Sequence, residues 1–590
     1  MGASRGRVSD QAGEARPLPG APKTGKRIRS TDDMVGLLLK KISPPIFYTA
    51  MFFVLSPHLL PRFPTHLFAD EGDGFQNYWD MWWMQKAILD LHQSPYFTAY
   101  LHYPHGTTLV AQTLHPFNGL VSLFLPFLSV GQAYNVMVVF GFAVGGWTAF
   151  LLCREVTGSY WPSLVGGAVF TFSSYHFAHA EGHMQLVSLE WLALFVLLWR
   201  RFLRCTDRSA GVKTGLASAL LLILVLLCDF YYFFYCVVTG ALFYLWVARE
   251  RRDPFFLLRK ENLASTAAFV LPTLLTSGVL SGSLLFQNWK DPFLGAHDAS
   301  QFSMDLLAMF VPGGHWLFGH WTQAIWQTWP GNPQENSVYL GLGVVFLFFY
   351  VWKNRSLVRI EDLRFWFLMA AVFWGHESGA HADRRRQGDS DWSALPDHGE
   401  VCESPRVALC ICHEVVPSST AFRCSSSDDD HGPTRSRDYN LRRHSSDPRE
   451  IDPPWPLFGD RAPGTHRLRV LARPYPDNAT APPKVRRVSK GSSRIRSGLR
   501  RLHLPRRALA NQTSHDRPIS FGYISRIPTS VARHNAALKQ AAEAGDYQQL
   551  CQKYGFRFLV ASPVAGSAPA EDRLELVYSD SETRIFRICG

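Results

Sequence analysis

The ten cysteines of this 590-residue chain form no Cys-x-x-Cys pair of zinc spacing, so no structural zinc motif is expected. Cys410 and Cys412 make a lone Cys-x-Cys, and the others stand singly, mostly in apolar runs, where a cysteine serves as a small hydrophobe. No disulfide framework is expected. A secretory signal is also missing: the first apolar run follows about 40 polar residues, and no small-residue cleavage site comes after it. The zinc-protease pattern His-Glu-x-x-His is absent, and the one acidic cluster lacks the alternation and closing Glu of an EF-hand.

What is abundant is apolar surface. Hydrophobic residues make up 47% and aromatics 14%, with 42 Phe and 18 Trp. The mean hydropathy of −0.04 averages two unlike parts. Residues 42–376 are strongly apolar; residues 1–41 and 377–511 are polar, basic and rich in Pro, Ser and Arg. The net charge of +12 is not read as a nucleic-acid footprint, because basic residues collect in the cytoplasmic loops of membrane proteins. The expected class is an all-α polytopic membrane domain, followed at 512–590 by a small α/β domain outside the cytoplasm.

A membrane-spanning helix needs roughly 17–25 mostly apolar residues. Candidate spans are 44–61, 131–152, 160–178, 184–202, 214–230, 231–248, 263–286, 337–352 and 364–376, with 115–129 as a half-helix. Arg200, Arg201, Arg204, Arg208 and Lys213 crowd one loop, Arg249, Arg251, Arg252, Arg259 and Lys260 a second, and Lys353, Arg355 and Arg359 a third. These loops are expected to be cytoplasmic, as is a disordered N-terminal tail over 1–41. The stretch 287–336 carries a single Lys or Arg, Lys290, and is expected outside with 62–130. The placement is an inner (plasma) membrane with the N-terminus in the cytoplasm.

That topology sets four polar features on one side. The first is Asp70-Glu71-Gly72-Asp73, three carboxylates loosened by glycine, suited to a general base or to hard-oxygen ligation of Mg or Mn by Asp70 and Asp73. Residues 75–92 after it read as an interfacial helix with an aromatic face of Phe75, Tyr78, Trp79, Trp82, Trp83 and Met84. The second is His176, His179 and His183, whose spacing fits one helical face. The third is the turn at Asp229 to Tyr232, and the fourth the loop ending in Glu335 and Tyr339. Ionisable residues at membrane depth usually line a site.

An acidic motif in the first external loop after one N-terminal span resembles the GT-C glycosyltransferases, multi-span enzymes that take sugars from polyprenyl-phosphate carriers. The nearer resemblance is to uncharacterised bacterial members of that class. It rests on Gly72-Asp73 with Asn77 and Trp79, on Tyr103-Pro104-His105-Gly106 and His115-Pro116, on Ala178 to Leu186, and on Glu335 with Tyr339 to Gly341. It covers about 45–376 and 512–590. The resemblance implies Asp70, Glu71 or Asp73 as catalytic carboxylates. It implies Asn77, Trp79, His115, His176, His179, His183, Asp229, Tyr232, Glu335 and Tyr339 around a polyprenyl-phosphate-linked sugar in the bilayer. The reaction implied is inverting transfer to a lipid, glycan or protein hydroxyl. Two other readings stand beside it: a non-catalytic envelope-assembly protein of the same fold, and a transporter or flippase, which would call for charges paired mid-span and internal repeats.

Residues 377–511 break the pattern. Between 376 and 510 there are 22 Arg against two Lys, only two of the chain's 42 Phe, and no Met. No apolar period persists. The stretch reads as translated out of frame. One permitted codon choice across Val407 to His413, shifted forward by one base, gives Ser-Arg-Phe-Ala-Phe-Ala-Met, a membrane-like run. In the tail, 529–553 is expected as a helix and 556–561, 574–578 and 584–588 as strands, with no nucleotide motif.

Overall fold

The computed structural model describes residues 31–70, 72–295, 304–313, 319–329, 336–358, 360, 362–384, 410–412, 504–561, 574–579 and 584–589. The chain divides into units 1–44 and 45–590. The first helix, Thr31–Leu55, begins inside the stretch expected to be disordered. Its Met34-Val-Gly-Leu-Leu-Leu run supplies enough helix-forming residues to extend the apolar segment upstream.

The second unit is mostly helical. Four of its described helices are long and apolar enough to cross a membrane: Val130–Thr157, Arg208–Cys228, Phe230–Arg251 and Leu263–Lys290. Ile42–Leu55, Leu342–Lys353 and Leu363–Trp374 are shorter apolar stretches. Two expected spans are broken. The run 160–178 becomes Tyr160–Thr171 and Ser174–Ala180, because Ser173 caps a new helix by accepting the His176 N–H. The run 184–202 becomes a short turn and the helix Glu190–Arg204. At the far end of that helix, Arg200 and Arg204 reach the buried Asp362 at 3.2 and 2.5 Å.

The segment expected as an interfacial helix is a core element. Helix Asp73–Gln85 continues in a wider turn to Asp90, and it buries Tyr78, Trp79, Met81, Trp83 and Met84. Trp79 and Trp83 stack with centroids 5.7 Å apart. Ala508, Leu509, Ile519 and Ile524 of the C-terminal tail pack on this face, which the sequence pattern of the helix alone assigned to lipid. The helix carrying Ala508 and Leu509, Leu504–His515, runs through the boundary expected at 511. The tail also pairs Ile527–Pro528 with Phe293–Leu294, antiparallel.

In the tail the expected single helix is two, Thr529–Glu543 and Tyr547–Gln552. Gly545 sits between them at φ +68°, and Asp546 caps the second by accepting the Gln549 N–H. Strands Phe558–Ala561, Glu575–Ser579 and Arg584–Arg587 join the backbone of Cys410–Cys412 in an antiparallel sheet whose order is 410–412, 558–561, 584–587, 575–579. Cys551 and Cys589, expected as unpaired, form a disulfide across a separation of 38 residues.

Candidate functional site

Asp70 fastens the first loop. Its Oδ1 accepts the N–H groups of Gly72 at 3.0 Å and Gly74 at 2.8 Å, donors that the first turn of helix Asp73–Gln85 leaves open. Its own N–H donates to the Glu181 carbonyl at 2.5 Å, which joins the loop to the turn after helix Ser174–Ala180. Small residues permit that approach. A Cβ at Gly74 would lie 2.7 Å from the Ala69 Cβ, and one at Gly182 would lie 3.3 Å from Asp70 Oδ2. Asn77 completes the join, donating to the Asp73 carbonyl at 2.8 Å and the Gly182 carbonyl at 2.7 Å.

Asp73 faces a histidine pair. Its Oδ2 is 3.2 Å from His183 Nε2, and His183 Nδ1 is 3.0 Å from His179 Nδ1. With His183 neutral, its Nε2–H donates to the Asp73 carboxylate, so its Nδ1 accepts the Nδ1–H of His179. The His179 ring lies 4.3 Å from the Tyr175 ring, whose hydroxyl is 3.1 Å from that of Tyr232. The Tyr232 hydroxyl also reaches the Leu186 carbonyl at 2.8 Å, and its N–H is capped by Asp229 Oδ1 at 2.9 Å. A line of side chains thus runs from Asp73 through His183, His179 and Tyr175 to Tyr232, hydrogen-bonded at each step except where the His179 and Tyr175 rings pack together.

The expected single helical face of three histidines does not form. Helix Ser174–Ala180 ends before Gly182, so His179 and His183 meet through a turn. His176 points elsewhere, between the carbonyls of Thr171 at 2.7 Å and Val187 at 3.0 Å, with the Phe142 ring stacked on it at 3.8 Å. It ties helix ends together.

Glu181, within the Ala178 to Leu186 element, also belongs to the cluster. Burial, and then the Asp70 charge beside it, push its carboxyl up to about 8. The signal available in the sequence was its place between His179 and His183. Burial also raises Asp229, opposed by the Tyr232 and Tyr231 N–H groups and by His183.

The other expected residues are dispersed. Trp79 is buried and donates through its indole N–H to Gln512 Oε1 at 2.8 Å, so it holds the tail. His115 is buried in a left-handed backbone conformation (φ 39°) before Pro116, and burial lowers its imidazole to about 4. Tyr339 touches the group at its edge, its carbonyl accepting the Ser174 hydroxyl at 2.8 Å. Glu71 and Glu335 lie outside the described residues. Among the described residues no group of three or more His, Cys, Asp or Glu is placed to hold a metal ion. Asp70 and Asp73 offer hard oxygens of the kind Mg shares with phosphate groups of a substrate.

A family profile described as a domain of unknown function, DUF6311, matches residues 46–380. The chain belongs to this family. The DUF6311 match takes in the carboxylates, the histidine pair and the Asp229–Tyr232 turn, and it ends where the apolar composition gives way to the Arg-rich stretch. The description assigns the family no activity, and no curated protein matches the chain.

Proposed function

We propose that the chain is a polytopic membrane glycosyltransferase, moving a sugar from a polyprenyl-phosphate donor to a lipid, glycan or protein hydroxyl outside the cytoplasm. The observation that carries the reading is the Asp73–His183 pair, placed beside Asp70 where the first loop, the 181–183 turn and the 229–232 turn meet. An inverting transfer needs one base. Asp73 takes the acceptor hydroxyl proton while the acceptor oxygen attacks the anomeric carbon, and the bond from that carbon to the phosphate oxygen breaks. The phosphate leaves with the electron pair. Through its Nε2–H, His183 orients the Asp73 carboxylate toward the acceptor. Asp70 holds the loop, and with Asp73 it would hold a Mg or Mn ion, which when bound would neutralise the phosphate charge.

Membrane placement is supported by the outward apolar face of helix Leu263–Lys290, where Leu271, Leu274, Leu275 and Val279 are 61–71% exposed. The tail packs on helix Asp73–Gln85, whose first residue is Asp73, and its Cys551–Cys589 disulfide suits an oxidising compartment. Both favour an extracytoplasmic site and tail, with the N-terminus in the cytoplasm. The transporter reading draws no support from the buried Arg200–Asp362 pair, which sits at a helix end. The test is transfer of labelled sugar from polyprenyl-phosphoryl donors by the full chain in liposomes. Loss in Asp73→Asn with retained folding is expected; equal transfer by wild type and an Asp70→Asn/Asp73→Asn variant would sink the reading and favour the non-catalytic one.

A further inference from the structure

A second polar group lies next to the Asp73–His183 line and takes no part in the step above. Its centre is Glu190, the first residue of helix Glu190–Arg204. The side chain is 1% exposed, and neither carboxylate oxygen finds a hydrogen bond on another residue among the described ones. Its own backbone N–H lies beside it. A buried carboxylate without partners is costly, and such a group in a folded protein calls for a ligand, a proton or water to complete it.

The surroundings are polar and tied to the site. Glu190 lies within electrostatic reach of the Cys228 thiol and of Tyr232, the last residue of the line from Asp73. Ser188 accepts from the buried Asn118 side chain at 3.2 Å, and Ser188 and Trp191 both face Cys228. No salt bridge to Glu190 occurs among the described residues, and no three metal-ligating side chains gather there. Two buried carboxyl oxygens with no cation beside them offer a phosphate no counter-charge and suit a hydroxylated ring, whose O–H groups donate.

We propose that Glu190 reads the sugar hydroxyls of the donor, in a subsite distinct from the carboxylates that act on the acceptor. The proposal rests on the polyprenyl-phosphate reading. Sugar specificity would then be set at the start of helix Glu190–Arg204, while Asp73 and His183 carry out the transfer. A substrate hydroxyl bonded to a buried carboxyl group is discriminated strongly, because its loss leaves a buried polar group unpaired.

The full chain in nanodiscs is titrated with farnesyl phosphate and with a panel of farnesyl-phosphoryl hexoses and pentoses. Wild type is expected to bind at least one sugar conjugate tenfold or more tighter than farnesyl phosphate, on the order expected for a charged hydrogen bond. Glu190→Gln is expected to erase that preference while binding farnesyl phosphate as wild type does. Glu190→Asp, which keeps the carboxyl group and draws it back, is expected to weaken the preference and serves if the Gln variant does not fold. If wild type binds neither probe, the polyprenyl-phosphate reading falls and the subsite with it. If wild type binds farnesyl phosphate but shows no sugar preference, or the preference survives in Glu190→Gln, or it is undiminished in Glu190→Asp, the subsite alone is overturned.

Discussion

His183 Nε2 stands 3.2 Å from the Asp73 carboxylate, across a separation of 110 residues, and this contact joins the first loop to the turn after helix Ser174–Ala180. Removing the charge and removing the contact are separable. Asp73→Asn keeps a hydrogen-bond acceptor for His183 but no base, so transfer should fall at least about a hundredfold, within the range for a lost general base, with little change in melting temperature. His183→Gln should lower transfer less, since the base remains but is no longer oriented. Equal losses in the two variants would mean that His183 does more than orient.

Asp70 plays a structural part that its neighbour does not. Asp70→Asn retains the oxygen that accepts the Gly72 and Gly74 N–H groups, whereas Asp70→Ala orphans both. The Ala variant should lose about 1–2 kcal/mol of stability, as for other lost helix caps, and the Asn variant much less. Thermal melts of the two proteins in one detergent give the comparison.

Glu181 gives a pH dependence of defined sign. Its carboxyl is raised in the folded chain to about 8, so the folded state binds the proton more tightly than the unfolded chain. The associated stability is complete below the ordinary glutamate range and is lost as pH rises through about 8. Glu181→Gln removes the titration. Its melting temperature should match that of wild type near pH 4 and exceed it at pH 9; a constant offset at all pH values would contradict this account.

Trp79 and Gln512 should behave as a pair that holds the tail. Trp79→Phe and Gln512→Ala are each expected to cost about 1–2 kcal/mol, because either leaves a buried polar atom orphaned. The double variant should cost less than the sum of the two, and ligand affinity should not change. A selective loss of ligand binding in Trp79→Phe would restore the substrate contact that the resemblance implied.

The Arg-rich stretch is tested on the gene. Helix Leu504–His515 and the segment to Ile524 pack on helix Asp73–Gln85, so the chain on both sides of that stretch belongs to one fold. Sequencing from codon 370 to codon 515 is expected to give, in another frame, two or four apolar spans. Confirmation of the written frame with no apolar alternative would make the stretch a genuine insertion.

Some of this was legible in the residues. Run length and composition picked out the apolar helices at 130–157, 208–228, 230–251 and 263–290, since a continuous apolar run of that length has few other uses. The tail strands followed from their alternation, and the carboxylate cluster from its spacing. Other features were decided by contacts between distant segments. Nothing local distinguishes an aromatic face packed on lipid from one packed on the protein's own tail, and only the partner 433 residues away from Trp79 assigns it to the core. Three histidines at helical spacing became a pair and a strut because the helix ended before Gly182, and the run 160–178 became two helices when Ser173 capped the second. The Cys551–Cys589 bond depended on a sheet bringing the chain's end back to helix Tyr547–Gln552. A sequence fixes how each segment partitions between water and an apolar phase; which buried surfaces meet is settled only when the whole chain closes, because burial free energy is non-directional and shape selects the partner.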